Sequence, residues 1–148
     1  RIDLYDACES VITSLQPAAE AKGVTMELKG QHANIFGAEQ IIDEIIHNLC
    51  DNAVKYNKEN GTVTVSVDKR GKEIELTVTD TGIGIPETDQ VRVFERFYRV
   101  NKGKSKQMGG TGLGLSIVKH GAAYHNARIV LNSVPDVGTT VKIIFKTL

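Results

Sequence analysis

Tryptophan is absent from the 148-residue chain, and aromatic residues make up only 5% of it. So few rings disfavour RNA recognition, which stacks unpaired bases on aromatic side chains. Cysteine is scarce: Cys8 and Cys50 are the only two, and both fall within apolar helical patterns. That excludes a disulfide framework or a zinc site and favours a reducing compartment. Net charge is absent too, because 18 basic and 18 acidic residues cancel. Without a net positive field, strong non-specific nucleic-acid binding is disfavoured. No apolar run approaches the ~20 residues that cross a bilayer, and no signal-peptide pattern opens the sequence. What remains is ordinary globular material, 41% hydrophobic and 24% charged. The length suits one compact domain, which needs no covalent staples. Repeats and low-complexity tracts are missing.

Punctuation divides the chain into helical and extended pieces. Residues 3–22 read as a helix with Asp3 as N-cap, Pro17 as a possible kink and Gly23 as the stop. Residues 24–28 alternate as a half-buried strand, and 33–36 are a short extended piece. The clearest helix covers 38–58, where Ile41, Ile42, Ile45, Ile46, Leu49, Cys50, Ala53 and Val54 form one apolar stripe. Residues 62–68 and 73–80 read as a hairpin around Gly71. A Gly/Pro loop covers 81–86. Val93, Phe94, Phe97 and Tyr98 predict a short amphipathic helix, and 113–124 a further helix. Residues 127–132 and 139–147 close the chain as strands about a turn at 135–138. Two apparent hairpins argue for a largely antiparallel sheet with helices on one face.

Three places on this frame suit chemistry. The polar face of the 38–58 helix carries Glu44, Asn48, Asn52 and Lys55 in one stripe. Asparagine is a poor helix former, but its oxygen can bind a hard cation, and Lys55 could neutralise phosphate. The stripe equally suits an ordinary solvated face. In the 73–80 strand, Ile74, Leu76, Val78 and Asp80 share one face, so Asp80 ends the apolar side. An inward carboxylate needs a partner. The exocyclic amine of adenine would serve, with Gly82 and Gly84 letting backbone approach it; a turn-forming Asp is the plainer alternative. Thr139 shares parity with Val141, Ile143 and Phe145, so its hydroxyl is expected to point inward, toward Asp80 or a water beside it. The run Gly109-Gly110-Thr111-Gly112-Leu113-Gly114-Leu115-Ser116 leads into a helix, and free N–H groups there bind anions. It is neither a P-loop nor a dinucleotide fingerprint. Before it lie Arg96, Arg99, Lys102, Lys104 and Lys106, a polar stretch that reads as a lid or as a plain surface loop. His32, His47, His120 and His125 have no metal-ligand spacing and read as structural or surface residues.

Together these segments resemble the ATP-binding catalytic domain of bacterial two-component sensor histidine kinases. Asn48-Leu49-Cys50-Asp51-Asn52-Ala53-Val54-Lys55-Tyr56 is similar to that family's N box. The run Asp80-Thr81-Gly82-Ile83-Gly84-Ile85-Pro86 is similar to its G1 box. Phe94-Glu95-Arg96-Phe97-Tyr98-Arg99 resembles the F box, Gly110 to Lys119 the G2 box, and Gly138-Thr139-Thr140 the last glycine box. All five occur in family order over essentially the whole chain.

The resemblance implies a Bergerat-type α/β (α+β) two-layer sandwich, with a mixed, mostly antiparallel sheet covered on one face by helices. It implies ATP and Mg²⁺. Asn48 and Asn52 would bind the metal and triphosphate. Lys55 and Arg99 would contact phosphate, and Tyr56 would line the site. Asp80 would read the adenine amine, beside Gly82, Gly84, Ile85 and Thr139. Gly110, Thr111, Gly112, Leu113, Gly114 and Leu115 would form the lid hinge and phosphate contacts, with Phe94 and Phe97 at the lid base. Asn48, Lys55 and Arg99 would carry the catalytic role.

The chain departs from the family pattern at Ala122–Ala127, and Gly121 stands inside a predicted helix. The family's phosphoacceptor histidine is followed by an acidic residue. Here the four histidines precede Ala33, Asn48, Gly121 and Asn126. The expectation is therefore a single catalytic domain spanning 1–148, excised from a larger protein or acting on another chain, and monomeric alone. Its partners would be a dimerising phosphoacceptor helical hairpin and a response-regulator receiver domain, with no nucleic-acid or membrane contact of its own. The setting would be cytoplasmic, the full-length protein anchored in the cell membrane. The alternatives are an anti-sigma-type serine kinase of the same fold and a nucleotide-binding module without catalysis.

Overall fold

The computed structural model describes residues 1–96, 98 and 114–147. Strand β1 (Ile2–Asp3) leads directly into α1 (Leu4–Lys22). The Asp3 carboxylate accepts the Tyr5 and Asp6 N–H groups, and Gly23 ends the helix in the left-handed region at φ 75°. The helix runs through Pro17 as one element.

Strands β2 (Thr25–Gly30) and β3 (Asn34–Ile35) precede α2 (Glu39–Lys55). A hairpin of β4 (Thr62–Arg70) and β5 (Glu73–Asp80) follows. After α3 (Glu87–Gln90) come α4 (Gly114–Tyr124), β6 (Arg128–Val134) and β7 (Gly138–Lys146). The main sheet has the order β2-β4-β5-β7-β6; β2 pairs parallel with β4 and every other pairing is antiparallel. β1 and β3 form a separate two-stranded ribbon.

The expected two-layer sandwich is what forms. Val63, Val65, Val67, Ile74, Leu76, Val78, Val141, Ile143 and Phe145 are buried at period 2 in β4, β5 and β7. They belong to one core with Leu4, Cys8, Ile12 and Leu15 of α1 and Ile42, Ile45, Ile46 and Leu49 of α2. Cys8 and Cys50 are free thiols inside it. Burial is the main reason the Cys50 thiol is pushed up to about 12, and Cys8 is raised by the same cause.

Gly121 explains itself at the α2–α4 contact. A Cβ there would stand 2.8 Å from Ile45 Cγ1 and 3.1 Å from Ile41 Cγ2, so a bare backbone lets the two helices meet. His125, past the end of α4, holds the same pair of helices. Its Nε2 accepts the Ala38 N–H at 3.1 Å and its Nδ1 lies 2.8 Å from Gly121 O, so Nδ1 carries the proton. This histidine is structural, as expected.

One expected element differs. Of the short helix predicted from Val93, Phe94, Phe97 and Tyr98, the described residues 93–96 form turns after α3 at Glu87–Gln90, and Phe97 lies outside the described residues. Pro86 and the acidic Glu87 and Asp89 supply the helix-start signals. The apolar spacing at Val93 and Phe94 instead reflects a turn in which Val93 is buried and Phe94 half-buried.

Candidate functional site

Helix α2 carries Asn48 and Asn52 one turn apart, and both are half-buried. The Asn48 side-chain nitrogen donates to Glu44 O at 2.7 Å, which leaves its oxygen toward the head of α4. The head of α4 lies over this pair. A Cβ added to Gly114 would be 3.3 Å from Asn52 Nδ2, 3.4 Å from Asn48 Oδ1 and 3.5 Å from Asn52 Oδ1. Two carboxamides therefore converge on the N-terminal end of a helix. Oxygen donors suit a hard cation, and the free N–H groups of a helix start suit an anion.

Lys55 sits in the last turn of α2 and pairs with Asp51 at 2.9 Å. Tyr56 caps the helix, and its carbonyl accepts the Ile83 N–H at 3.1 Å. This contact joins α2 to the loop after β5.

At the other end of the site, Asp80 closes β5 on its apolar face. Register places Val63, Asp80, Thr139 and Ser133 in one row across four strands. Asp80 Oδ1 accepts the Gly82 N–H at 2.8 Å and the Thr139 N–H at 3.3 Å. Burial pushes the carboxyl up to about 6, against the lowering effect of those two hydrogen bonds. The inward, half-buried carboxylate read from the alternation is present.

Several expectations take a different form. Thr139 does reach Asp80, but through its backbone N–H. Its hydroxyl lies 2.7 Å from Ser133 Oγ. Gly82 and Gly84 admit neighbouring protein backbone: a Cβ would fall 2.4 Å from Tyr56 O at Gly82 and 2.2 Å from Val134 O at Gly84. Leu115 packs its side chain against the core. Ile85 donates its N–H to Ser133 Oγ at 2.8 Å. Phe97, Arg99, Lys102, Lys104, Lys106, Gly110, Thr111, Gly112 and Leu113 lie outside the described residues.

The structure adds braces that were not singled out from sequence. Gln90 Nε2 donates to Ile85 O and Ser133 O, at 2.9 and 3.0 Å. The Asp136 N–H donates to Ile83 O at 2.8 Å, and Lys58 Nζ to Asp136 O. The β6–β7 turn is thus strapped to the loop beside Asp80. Buried Asn57 holds that loop from the opposite side.

Residues 37–148 match the family model described as histidine kinase-, DNA gyrase B- and HSP90-like ATPase. The chain belongs to this ATPase family. Within it, the similarity runs to sensor histidine kinases. The sensor-like histidine kinase SenX3 of Mycolicibacterium smegmatis is 52% identical over 106 residues, covering 72% of this chain and 28% of the relative. The kinase ArlS of Staphylococcus aureus is 35% identical over 144 residues, covering 97% of this chain and 32% of the relative. The chain thus spans about a third or less of these relatives' lengths. Among solved structures, the mycobacterial sensor histidine kinase MprB superposes with a TM-score of 0.88 at 25% identity, covering 98% of this chain and 96% of that one. Full-length ShkA, solved in complex with AMPPNP, gives 0.85 at 24% identity, covering 99% of this chain and 31% of that one; at that identity the likeness speaks to fold. Among the described residues, no helix is long and apolar enough to cross a membrane.

Proposed function

We propose that this chain is the ATP-binding catalytic domain of a sensor histidine kinase. It holds Mg-ATP and donates the γ-phosphoryl group to a histidine on a separate dimerising helical hairpin, for onward transfer to a response regulator. The observation that carries this reading is the convergence of Asn48, Asn52 and Gly114 at the head of α4, together with the Asp80 carboxylate, whose Gly82 turn bonds to Tyr56 at the end of the same helix α2.

The residues present fit the ligands. Asn48 and Asn52 offer neutral oxygens for Mg²⁺, which supplies charge neutralisation on the triphosphate when bound. Asp80 accepts a hydrogen bond from the adenine amine and would repel the carbonyl that guanine presents there. Its Gly82 and Thr139 donors hold the carboxylate in place. Lys55 and Arg99 contact phosphate; Lys55 leaves Asp51 to do so. Tyr56, Gly82, Gly84, Ile85 and Thr139 line the nucleoside end. Gly110, Thr111, Gly112, Leu113, Gly114 and Leu115 supply backbone N–H groups and a hinge. Positioning and electrostatics carry the chemistry. The acceptor is sought in another segment, because none of the four histidines precedes an acidic residue and His125 is engaged at both ring nitrogens.

Titration calorimetry with ATP and GTP, with and without Mg²⁺, tests the reading. Adenine-selective binding that weakens without the metal supports it. A folded chain that binds neither nucleotide overturns it. Selective binding that ignores Mg²⁺ favours the module without catalysis.

A further inference from the structure

Two polar side chains are buried among the described residues, Asn57 and Ser116. Asn57 is the second residue past α2 and is 3% exposed. A buried carboxamide has two donors and an acceptor to satisfy. Its Nδ2 donates to Thr62 O at 2.9 Å, and its Oδ1 accepts the Lys58 N–H at 2.8 Å and the Thr81 hydroxyl at 3.3 Å. The Thr81 hydroxyl in turn accepts the Thr62 N–H at 2.9 Å, and the Thr81 N–H donates to Thr62 O at 3.2 Å. One side chain therefore ties together the exit of α2, the start of β4 and the residue that follows Asp80.

The surrounding backbone leaves this knot no slack. A Cβ at Gly61 would fall 2.0 Å from Asn57 Oδ1, and one at Gly82 would fall 3.0 Å from Asn57 Cα. The Ile83 N–H reaches Tyr56 O at 3.1 Å. On one side of the knot is the helix with Asn48 and Asn52. On the other is the turn whose Gly82 N–H orients Asp80. A ligand read at both ends needs that spacing fixed.

We propose that Asn57 is a positioning residue of the nucleotide site: acting through Thr81, it fixes the adenine-reading carboxylate relative to the helix that carries the paired carboxamides. The inference rests on the functional reading above. A merely structural asparagine would lower thermal stability and leave the folded protein's preference for ATP over GTP intact. A positioning residue changes the preference itself, because the phosphates still bind while Asp80 is displaced.

The experiment is calorimetry of ATP and GTP on wild type, Asn57→Ala, Thr81→Val and Thr81→Ser, at a temperature where each is folded. The expected result is an ATP/GTP affinity ratio reduced about tenfold in Asn57→Ala and Thr81→Val, the size of one displaced hydrogen bond. Thr81→Ser, which restores the hydroxyl, keeps the wild-type ratio. Thr81→Val leaves the Asn57 bonds to Thr62 and Lys58 in place, so it decides the matter if Asn57→Ala does not fold. A selective wild type with an unchanged ratio in Thr81→Val overturns this inference alone. A wild type without preference for ATP overturns the functional reading along with it.

Discussion

Asp80 accepts the Gly82 N–H at 2.8 Å from within the last inward-facing row of the sheet, a carboxylate presented at the edge of an apolar face. The two donors prefer it ionised, burial prefers it neutral, and burial wins: the carboxyl is pushed up to about 6. On the proposed reading the adenine amine donates to this carboxylate, and the ionised form is the stronger acceptor. ATP affinity is therefore expected to fall as pH drops through about 6 and to be level above it. In Asp80→Asn the acceptor is neutral, so affinity drops about 10–100-fold, and this inflection disappears from the pH series. Calorimetry across pH 5–8 on both proteins checks it. An Asp80→Asn profile that keeps the wild-type inflection would assign the titration to another group.

The same carboxylate weakens the fold that holds it. Its folded value lies above the 3.8 of the free side chain, so the native state binds the proton more tightly than the unfolded one. The penalty is absent below pH 3.8, grows as pH rises through that window and is complete above about 6. Asp80→Asn should accordingly raise stability at pH 7.5, by about 1–3 kcal/mol, while abolishing selective binding. Urea denaturation at pH 7.5 measures this. A variant less stable than wild type would mean that the hydrogen bonds outweigh burial.

Periodic signals made half of this site legible in the sequence. Asn48 and Asn52 fall on the polar stripe of a strongly amphipathic helix, and Asp80 falls on the apolar parity of its strand. Both patterns survive folding because each needs only its own element. Asn57 lies beyond the end of its helix, Gln90 at the end of its own and Ser133 one residue before the end of β6, and their partners sit up to 48 residues away in sequence. No local period encodes such contacts. The glycines misled for a related reason. Gly82 and Gly84 signal a close approach, but sequence does not say to what, and the answer is the protein's own backbone at Tyr56 and Val134. The parallel β2–β4 pairing likewise depends on α2 crossing between them, not on anything within either strand.

Asn52 stands closest to Gly114, and it is where metal dependence should be read. Asn52→Ala removes one of the two carboxamide oxygens without touching the core. Binding of ATP in the presence of Mg²⁺ should weaken about 10–100-fold, in the range typical for losing support at a metal site. Binding without Mg²⁺ should change little. Calorimetry at fixed nucleotide with varied Mg²⁺ separates the two. Equal losses with and without metal would move Asn52 from metal ligand to nucleotide contact.

Gly121 and His125 make one structural prediction between them. Gly121→Ala gains ~1 kcal/mol of helix propensity but places a methyl 2.8 Å from Ile45 Cγ1. Overpacking of this kind costs ~1–3 kcal/mol. A modest net loss follows for Ala and a larger one for Gly121→Leu. His125→Ala leaves the Ala38 N–H at the head of α2 without its acceptor and removes the tie to Gly121 O, costing about 1–3 kcal/mol. Ala38 stands ten residues before Asn48, ~15 Å along the helix, so ATP affinity should survive both changes. The two sites share the α2–α4 contact, and their costs should fall short of additive when combined. Urea midpoints of the single and double variants, with ATP calorimetry on each, test this. Strict additivity would mean that the histidine braces α2 independently of how closely α4 packs on it, and a loss of ATP binding in His125→Ala would mean that the head of α2 controls the carboxamides three turns away.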